Sequence, residues 1–275
     1  MKFTKMHGIG NDYIYVNTME ETVNDPSSLA VSVSDRRKGI GADGLILIGR
    51  DPDGLFTMDI YNADGSRGMM CGNGIRCVAK YLYDNHYVTA DEVSIRTASG
   101  VKNIRIFADS GKMTKATVDM GPPLFGPGEV PYDTSFVKDG RITVNAAAIP
   151  VVIVGMGNPH CVVFLNDSDV DLLDIAAVGP LFEDHPAFPD KVNTEFLNII
   201  DRKTIKMRVW ERGSGETMAC GTGASAAAVA SILKGYCEPG TVTVKLRGGD
   251  LEIAWDGSGS VFMTGPAETV FTGEY

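Results

Sequence analysis

Short runs of β-branched and aromatic residues, several with polar residues interleaved, recur along the first 110 positions: "IYVNTM", "GLILIG", "FTMDIYN", "VSIRTA" and "KNIRIFA". Bounded by Gly, Asp and Asn, such runs predict strands packed on a core. Two segments break that rhythm. "GIRCVAKYLYDN" (74–85) and "GASAAAVASILKG" (223–235) carry a longer, helical periodicity. The second is Ala-rich and apolar nearly all round, the pattern of a helix without a solvent face. "VDLLDIAAVGPLFEDH" (170–185) reads as an amphipathic surface helix, and "ETVF" near the end as a further strand.

The pattern is duplicated. An offset of 149 positions lays "MDIYNADGSRGMMCGNG" (58–74) over "MRVWERGSGETMACGTG" (207–223), and "VSIRTASGVKNIRI" (93–106) over "VTVKLRGGDLEIAW" (242–255). Further out the offset drifts by a few residues, pairing "GND" at 10–12 with "GNPH" at 157–160, as small loop insertions would produce. Self-similarity on this scale marks an internal repeat. The expectation is an α+β fold of two homologous halves, 1–121 and 122–265, with 266–275 returning to the first half as a strand. Each half would be a curled mixed sheet, or barrel, around one central helix. A doubly wound parallel sheet would need many more crossover helices.

Composition narrows the classes. A chain of 275 residues, 44% hydrophobic and 22% charged, can bury a large core. Its net charge of −10, with scattered Lys and Arg, disfavours a nucleic-acid partner. No run of about 18 apolar residues occurs and the N-terminus lacks a signal-peptide core, so a cytoplasmic protein without membrane association is expected. Five cysteines, an odd number, argue for free thiols.

Candidate chemistry centres on the duplicated C-G-x-G. Cys71 and Cys220 each precede a predicted helix, where unpaired N–H groups and the positive end of the helix dipole favour a thiolate. The neighbouring glycines, Gly72 with Gly74 and Gly221 with Gly223, leave backbone amides free for an anion such as a carboxylate. Either cysteine alone would pass for a small buried residue at a tight turn. A symmetric pair suggests inversion of a stereocentre, with one thiolate removing a proton and one thiol delivering another to the opposite face. That chemistry needs neither a pyridoxal lysine nor a metal.

"FTKMHGIGNDYIYV", "RRKGIGADGLI", "YNADGSRGMMCGNGIRC", "GNPHCVVF" and "VWERGSGETMACGTGA" together resemble the motifs of the diaminopimelate epimerases, across nearly the whole chain. The resemblance implies cofactor-independent conversion of LL-2,6-diaminopimelate to the meso form, serving lysine and peptidoglycan precursor synthesis, by a homodimer. It implies that Cys71 and Cys220 are the acid/base pair, tuned by His160 and Glu211, and that Gly72, Asn73, Gly221 and Thr222 bind the reacting carboxylate. Glu211 would also meet the α-amino group, while Asn11, Asn62, Asn158, Asn193 and Arg212 hold the distal end. Three positions depart from the family pattern: Gly44 where some members have Gln, "RGMM" at 67–70, and Ser225 where a further cysteine is common.

Other signals are weaker. Cys77, Cys161 and Cys237 are expected in the core, and His7, His86 and His185 on loops or in local hydrogen bonds. "GIGNDY" and "GIGADG" lack the full dinucleotide-binding pattern and read as turns. A zinc site from Cys71, Cys77, Cys220 and His160 lacks the usual spacing. Another amino-acid substrate such as proline, hydroxyproline or histidine, a non-catalytic binding protein, and a redox protein are the competing classes.

Overall fold

The structure is a computed structural model that describes residues 1–165 and 168–275. The chain divides into two compact units, one of Met1–Asp119 with Thr264–Tyr275 and one of Met120–Met263.

In the first unit the strands are β1 (Lys2–Gly8), β2 (Asn11–Asn17), β3 (Gly44–Arg50), β4 (Phe56–Asn62), β5 (Arg67–Gly68), β6 (Glu92–Thr97), β7 (Gly100–Asp109) and β8 (Lys112–Gly121). Helix α1 (Pro26–Ser34) joins β2 to β3, and α2 (Gly72–Asp84) joins β5 to β6. The sheet is mixed: β2 runs parallel to β3 and β4 to β6, while β1–β2, β3–β4, β4–β5, β6–β7 and β7–β8 are antiparallel. Strands as far apart in this order as β1, β2 and β7 all touch α2, so the sheet curls around it. Ile75, Val78, Ala79 and Leu82 of the helix are fully buried, and α1 covers the outer face through Ala30 and Val33 against Ile14, Leu45 and Leu47.

The second unit carries the hairpin β9 (Arg141–Val144) and β10 (Ala147–Pro150), then β11 (Val152–Gly155), β12 (Pro159–Phe164), α3 (Ile175–Glu183), β13 (Asn193–Asp201), β14 (Thr204–Glu211), β15 (Gly215–Thr217), α4 (Gly221–Leu233), β16 (Gly240–Leu246) and β17 (Gly249–Trp255). Strand β18 (Val261–Pro266) leads back to the first unit, where β19 (Glu268–Glu274) pairs with β1. Helix α4 touches β11 to β14, β16 and β17, and from Gly223 to Ile232 every residue is buried. A run of Ala, Ser and Gly permits strands to approach on all sides, which is why this helix shows no polar face.

The duplication seen in the sequence is reproduced in strand register. Ile46 pairs with Ile60 as Glu195 pairs with Val209, Phe56 with Ile95 as Ile205 with Val244, and Val93 with Ile104 as Val242 with Ile253. Each of these pairs is displaced by the same 149 positions. At the parallel strand before them the offset falls to 147, with Tyr13 beside Gly44 and His160 beside Asn193.

Two sequence expectations are revised. The central helices start at Gly72 and Gly221 rather than at 74 and 223, because each cysteine sulfur caps the first turn and draws the glycines into the helix. The 170–185 segment is not one helix: a 3-10 turn at Val170–Leu172 precedes α3, which restarts where the Asp174 carboxylate accepts from the Ala177 N–H.

Candidate active site

In the first unit, Cys71 occupies the N-cap of α2 with extended backbone (φ −135°, ψ 114°), and its sulfur accepts from the Gly74 N–H at 3.2 Å. Ser, Thr, Asp or Asn usually fills this position. A sulfur there is held against a backbone donor, an arrangement that favours negative charge on it. The thiol also donates to Asn11 Oδ1 at 3.2 Å, and Asn73 Nδ2 approaches the same oxygen at 3.4 Å. The Asn11 amide cannot turn freely, because its Nδ2 donates to Asp43 Oδ2 at 2.8 Å. Arg36 bridges Asp43 and Asp12. Burial and the nearby Asp12 push the Asp43 carboxyl up; Asp12 is also raised by burial, but Arg36 and Lys5 outweigh it and hold its carboxyl down.

Arg76, in the second turn of α2, is a feature that sequence reasoning passed over. It is fully buried and donates to Gly72 O, Asn73 Oδ1 and Pro266 O. Burial pulls its guanidinium below the usual range, an effect opposed by its attraction to Cys77 and Cys71. By reciprocity that buried cation favours the Cys71 thiolate. Asn62 stands apart at the exposed end of β4, bonded to Ser66. Gly44 beside it has no room for a longer residue: a Cβ there would lie 2.3 Å from Tyr61 O and 2.9 Å from the Tyr13 ring. Any glutamine contact at that position is therefore closed off by the backbone.

In the second unit Cys220 caps α4 in the same way (φ −123°, ψ 114°) and accepts from Gly223 N–H at 3.4 Å, with Thr222 Oγ1 also at 3.4 Å. Its other neighbours differ in sign. The charge of the Glu211 carboxylate bears on this thiol, and that carboxylate accepts from the Thr217 hydroxyl. His160 is fully buried between Glu195 Oε1, 2.7 Å from Nδ1, and Asn158 Oδ1, 2.9 Å from Nε2. Asn193 spends both ends of its amide inside the protein, on the Arg212 N–H at 3.1 Å and Pro159 O at 3.1 Å. The Arg212 guanidinium lies at the surface, donating to Asp190 O at 3.0 Å.

These neighbours overturn one expectation. A helix N-terminus alone would lower the thiol pKa, yet Cys220 is pushed well above the ordinary thiol range, by burial first and then by Glu211 and Glu195. Two carboxylates outweigh one backbone donor. Burial also raises Glu211. Glu195 went unnoticed in the sequence although the repeat exposes it: it stands where the first unit has Ile46.

The remaining thiols are buried and the other histidines lie in turns or local hydrogen bonds, as the sequence placed them. Cys77 and Cys161 are fully buried and Cys237 nearly so; burial pushes Cys77 up to about 11. His86 lies in a turn, and His185 accepts locally from the Ala187 N–H while its Nε2 meets the distant Thr143 O. His7 sits on β1 in a local hydrogen bond, its ring accepting from the Gly10 N–H. Among the described residues, no three His, Cys, Asp or Glu side chains are grouped to hold a metal ion, and no helix is long and apolar enough to cross a membrane.

The fold is shared with solved structures, an epimerase among them. A hydroxyproline epimerase from Agrobacterium vitis with bound trans-4-hydroxy-L-proline aligns over 99% of this chain and 91% of its own, with TM-score 0.68 and 16% identity. A phenazine biosynthesis protein of the PhzF family from Bacillus anthracis aligns over 100% and 98%, with TM-score 0.72 and 14% identity. At sequence level the chain matches the family model for diaminopimelate epimerase over residues 3–125 and 152–270. It is 49% identical to the diaminopimelate epimerase of Agathobacter rectalis, over 100% of this chain and 99% of that protein. To the diaminopimelate epimerase of Acetivibrio thermocellus it is 48% identical, over 100% and 98%. The chain belongs to the diaminopimelate epimerase family, and it is an isomerase acting on a small-molecule substrate.

Proposed function

We propose that the protein interconverts LL- and meso-2,6-diaminopimelate by a two-thiol mechanism that needs no cofactor. The observation that carries this reading is the pair of repeat-related cysteines, each capping a central helix but with opposite charge around them: the Arg76 cation in the first unit, the Glu211 and Glu195 carboxylates in the second.

That asymmetry makes Cys71 the more readily ionised of the two: giving up its proton breaks the bond to Asn11 Oδ1, and the Arg76 cation favours the resulting thiolate, while Cys220 stays a thiol. Cys71 takes the α-proton, becoming a thiol, and the electron pair left on carbon takes a proton from Cys220 on the opposite face, leaving Cys220 the thiolate. The reverse reaction exchanges the roles. The backbone amides of Gly72, Asn73, Gly221 and Thr222 hold the α-carboxylate, where the positive ends of α2 and α4 stabilise the charge that develops on it. Glu211 receives the α-ammonium group. Asn11, Asn62, Asn158 and Arg212 bind the distal amino-acid end, the Arg212 fork matching a carboxylate. Asn193 also faces that end with the second hydrogen of its amide, while its other bonds fix the Arg212 backbone and Pro159 O. The family resemblance supports a cytoplasmic homodimer supplying lysine and peptidoglycan precursors.

The test is α-proton exchange: LL-diaminopimelate in D₂O with wild type, Cys71→Ala and Cys220→Ala. Deuterium incorporation with conversion to the meso form, lost in both variants, is expected. Epimerisation surviving either substitution would refute the two-thiol mechanism, and exchange with a different amino acid but not diaminopimelate would refute the substrate.

A further inference from the structure

In the mechanism above Glu195 enters only as a charge near Cys220, which leaves its own buried position unexplained. Its side chain is wholly inaccessible, as is that of its partner His160. One carboxylate oxygen meets His160 Nδ1 at 2.7 Å, and the other, Oε2, has no hydrogen-bond partner. Burying a carboxylate without satisfying both oxygens is costly, and an apolar residue of similar volume would serve a purely structural purpose as well or better. The first unit does use one. At the repeat position Ile46 lies under Gly74, its Cδ1 2.7 Å from where a Cβ would stand; Glu195 Oε1 lies under Gly223 at 2.6 Å from the corresponding point. The two pockets have the same shape and different contents.

What Glu195 controls follows from counting protons along the chain Glu195, His160, Asn158. Asn158 turns Oδ1 to His160 Nε2 at 2.9 Å, and an amide oxygen can only accept, so Nε2 bears a proton. The Nδ1 contact to Glu195 then carries a second proton of its own. With both ring nitrogens engaged the imidazole cannot flip, and Asn158 is obliged to present its amide NH₂ outward. Asn158 is half-buried, and among the described residues that NH₂ has no protein acceptor. Without Glu195 the ring loses both its second proton and the partner that fixes it, and a neutral ring can take either tautomer; whenever its one hydrogen lies on Nδ1, Nε2 accepts and Asn158 turns over, so the amide no longer presents one fixed face to the ligand.

We propose that Glu195 is a positioning residue for substrate recognition: acting through His160, it holds Asn158 with its amide donors toward the ligand, matched to an anionic group such as the distal carboxylate of the substrate. This inference rests on the functional reading above.

The test combines kinetics with a readout that needs no substrate. Glu195→Ile, with Glu195→Met as a second apolar shape, is expected to raise KM for diaminopimelate about tenfold, more than it lowers kcat when each variant is measured at its own pH optimum, since losing a carboxylate near Cys220 also lowers that thiol's pKa, in protein whose thermal unfolding remains cooperative. Glu195→Gln, which keeps a hydrogen bond to Nδ1, is expected to return KM to within about threefold of wild type. Asn158→Ala, costing about tenfold in wild type, is expected to cost less than about threefold in the Glu195→Ile background, since residues acting through one contact are not additive. In the free wild-type protein, ¹⁵N spectra assigned with His160→Asn should show His160 Nε2 protonated. A wild-type Nε2 without its proton, unchanged KM in the apolar variants, a Gln variant no better than Ile, or fully additive Asn158→Ala costs would each overturn the proposal. Wild type without diaminopimelate turnover would instead refute the functional reading, and the nitrogen spectrum would still decide the position of the proton.

Discussion

The two units are the same framework with different electrostatics. Strand register is conserved at an offset of 149 residues, and each central helix begins at a cysteine that accepts the N–H three residues on. The contents of the matching pockets diverge: Arg76 answers to Ser225, Ile46 to Glu195, and Asn62 to Glu211. Even the local bond survives the exchange, since the Arg76 guanidinium and the Ser225 hydroxyl both donate to the carbonyl four residues earlier, at 3.1 and 2.9 Å. The difference teaches that the helix N-terminus supplies a common push toward thiolate in both units, and that burial and the charges packed around it decide the outcome. A cation stands beside Cys71; two carboxylates stand beside Cys220.

Exchanging the residues that differ should break the asymmetry, with effects that fall in a definite order. Arg76→Ser, which gives the first unit the second unit's residue, removes the donors to Asn73 Oδ1 and Pro266 O from a buried site. We expect a loss of about 3 kcal/mol or more in urea unfolding, at roughly 1.5–3 kcal/mol per charged hydrogen bond. In whatever fraction folds, the Cys71 pH midpoint should rise.

Glu211→Gln should lower activity by about a hundredfold, near the low end of what one acid–base partner contributes. Removing a carboxylate beside Cys220 also lowers that thiol's pKa, so the limb of the rate profile that belongs to Cys220 should move to lower pH. A profile that falls in height without moving would contradict the electrostatic reading.

The paired helix glycines offer a finer comparison. At Gly74 a methyl group would meet the ends of Ile46 and Met58, which can shift; at Gly223 it would meet Glu195 Oε1 at 2.6 Å and Cys220 Sγ at 3.3 Å. Gly74→Ala should therefore cost about 1–2 kcal/mol of stability, overpacking being offset partly by the better helix former, with most activity kept. Gly223→Ala should cost at least tenfold more activity at a similar loss of stability.

Alkaline pH should act on stability without separating the two catalytic thiols. Cys77 is pushed up to about 11 by burial, so the unfolded chain releases this proton first, near the ordinary value of 9.0. Stability from this thiol is intact below pH 9 and is lost as pH rises toward 11, amounting to about 2–3 kcal/mol. Urea unfolding at pH 8 and pH 10.5 measures the loss, and Cys77→Ala should remove its share.

Much of this was legible in the sequence because duplication supplies its own alignment. The strand runs, both helices, the capping cysteines and the returning strand at 268–274 could be read from periodicity and from the C-G-x-G repeat. The remainder depends on what is brought close in space. Glu195 sits in "VNTEFLN" as one polar residue in an apolar strand, and only its overlay on Ile46 marks it as unusual. Arg76 lies inside a helix-forming run, where nothing local shows that it is buried among carbonyls. The direction of the Cys220 shift could not be read at all, because it depends on carboxylates nine and twenty-five positions away.

The most direct test of the central claim is a titration of the two thiols in the free protein. With cysteine labelled at Cβ with ¹³C, and signals assigned by Cys71→Ser and Cys220→Ser, the account predicts that Cys71 ionises at clearly lower pH than Cys220, by more than one pH unit. Equal midpoints, or Cys220 ionising first, would contradict it.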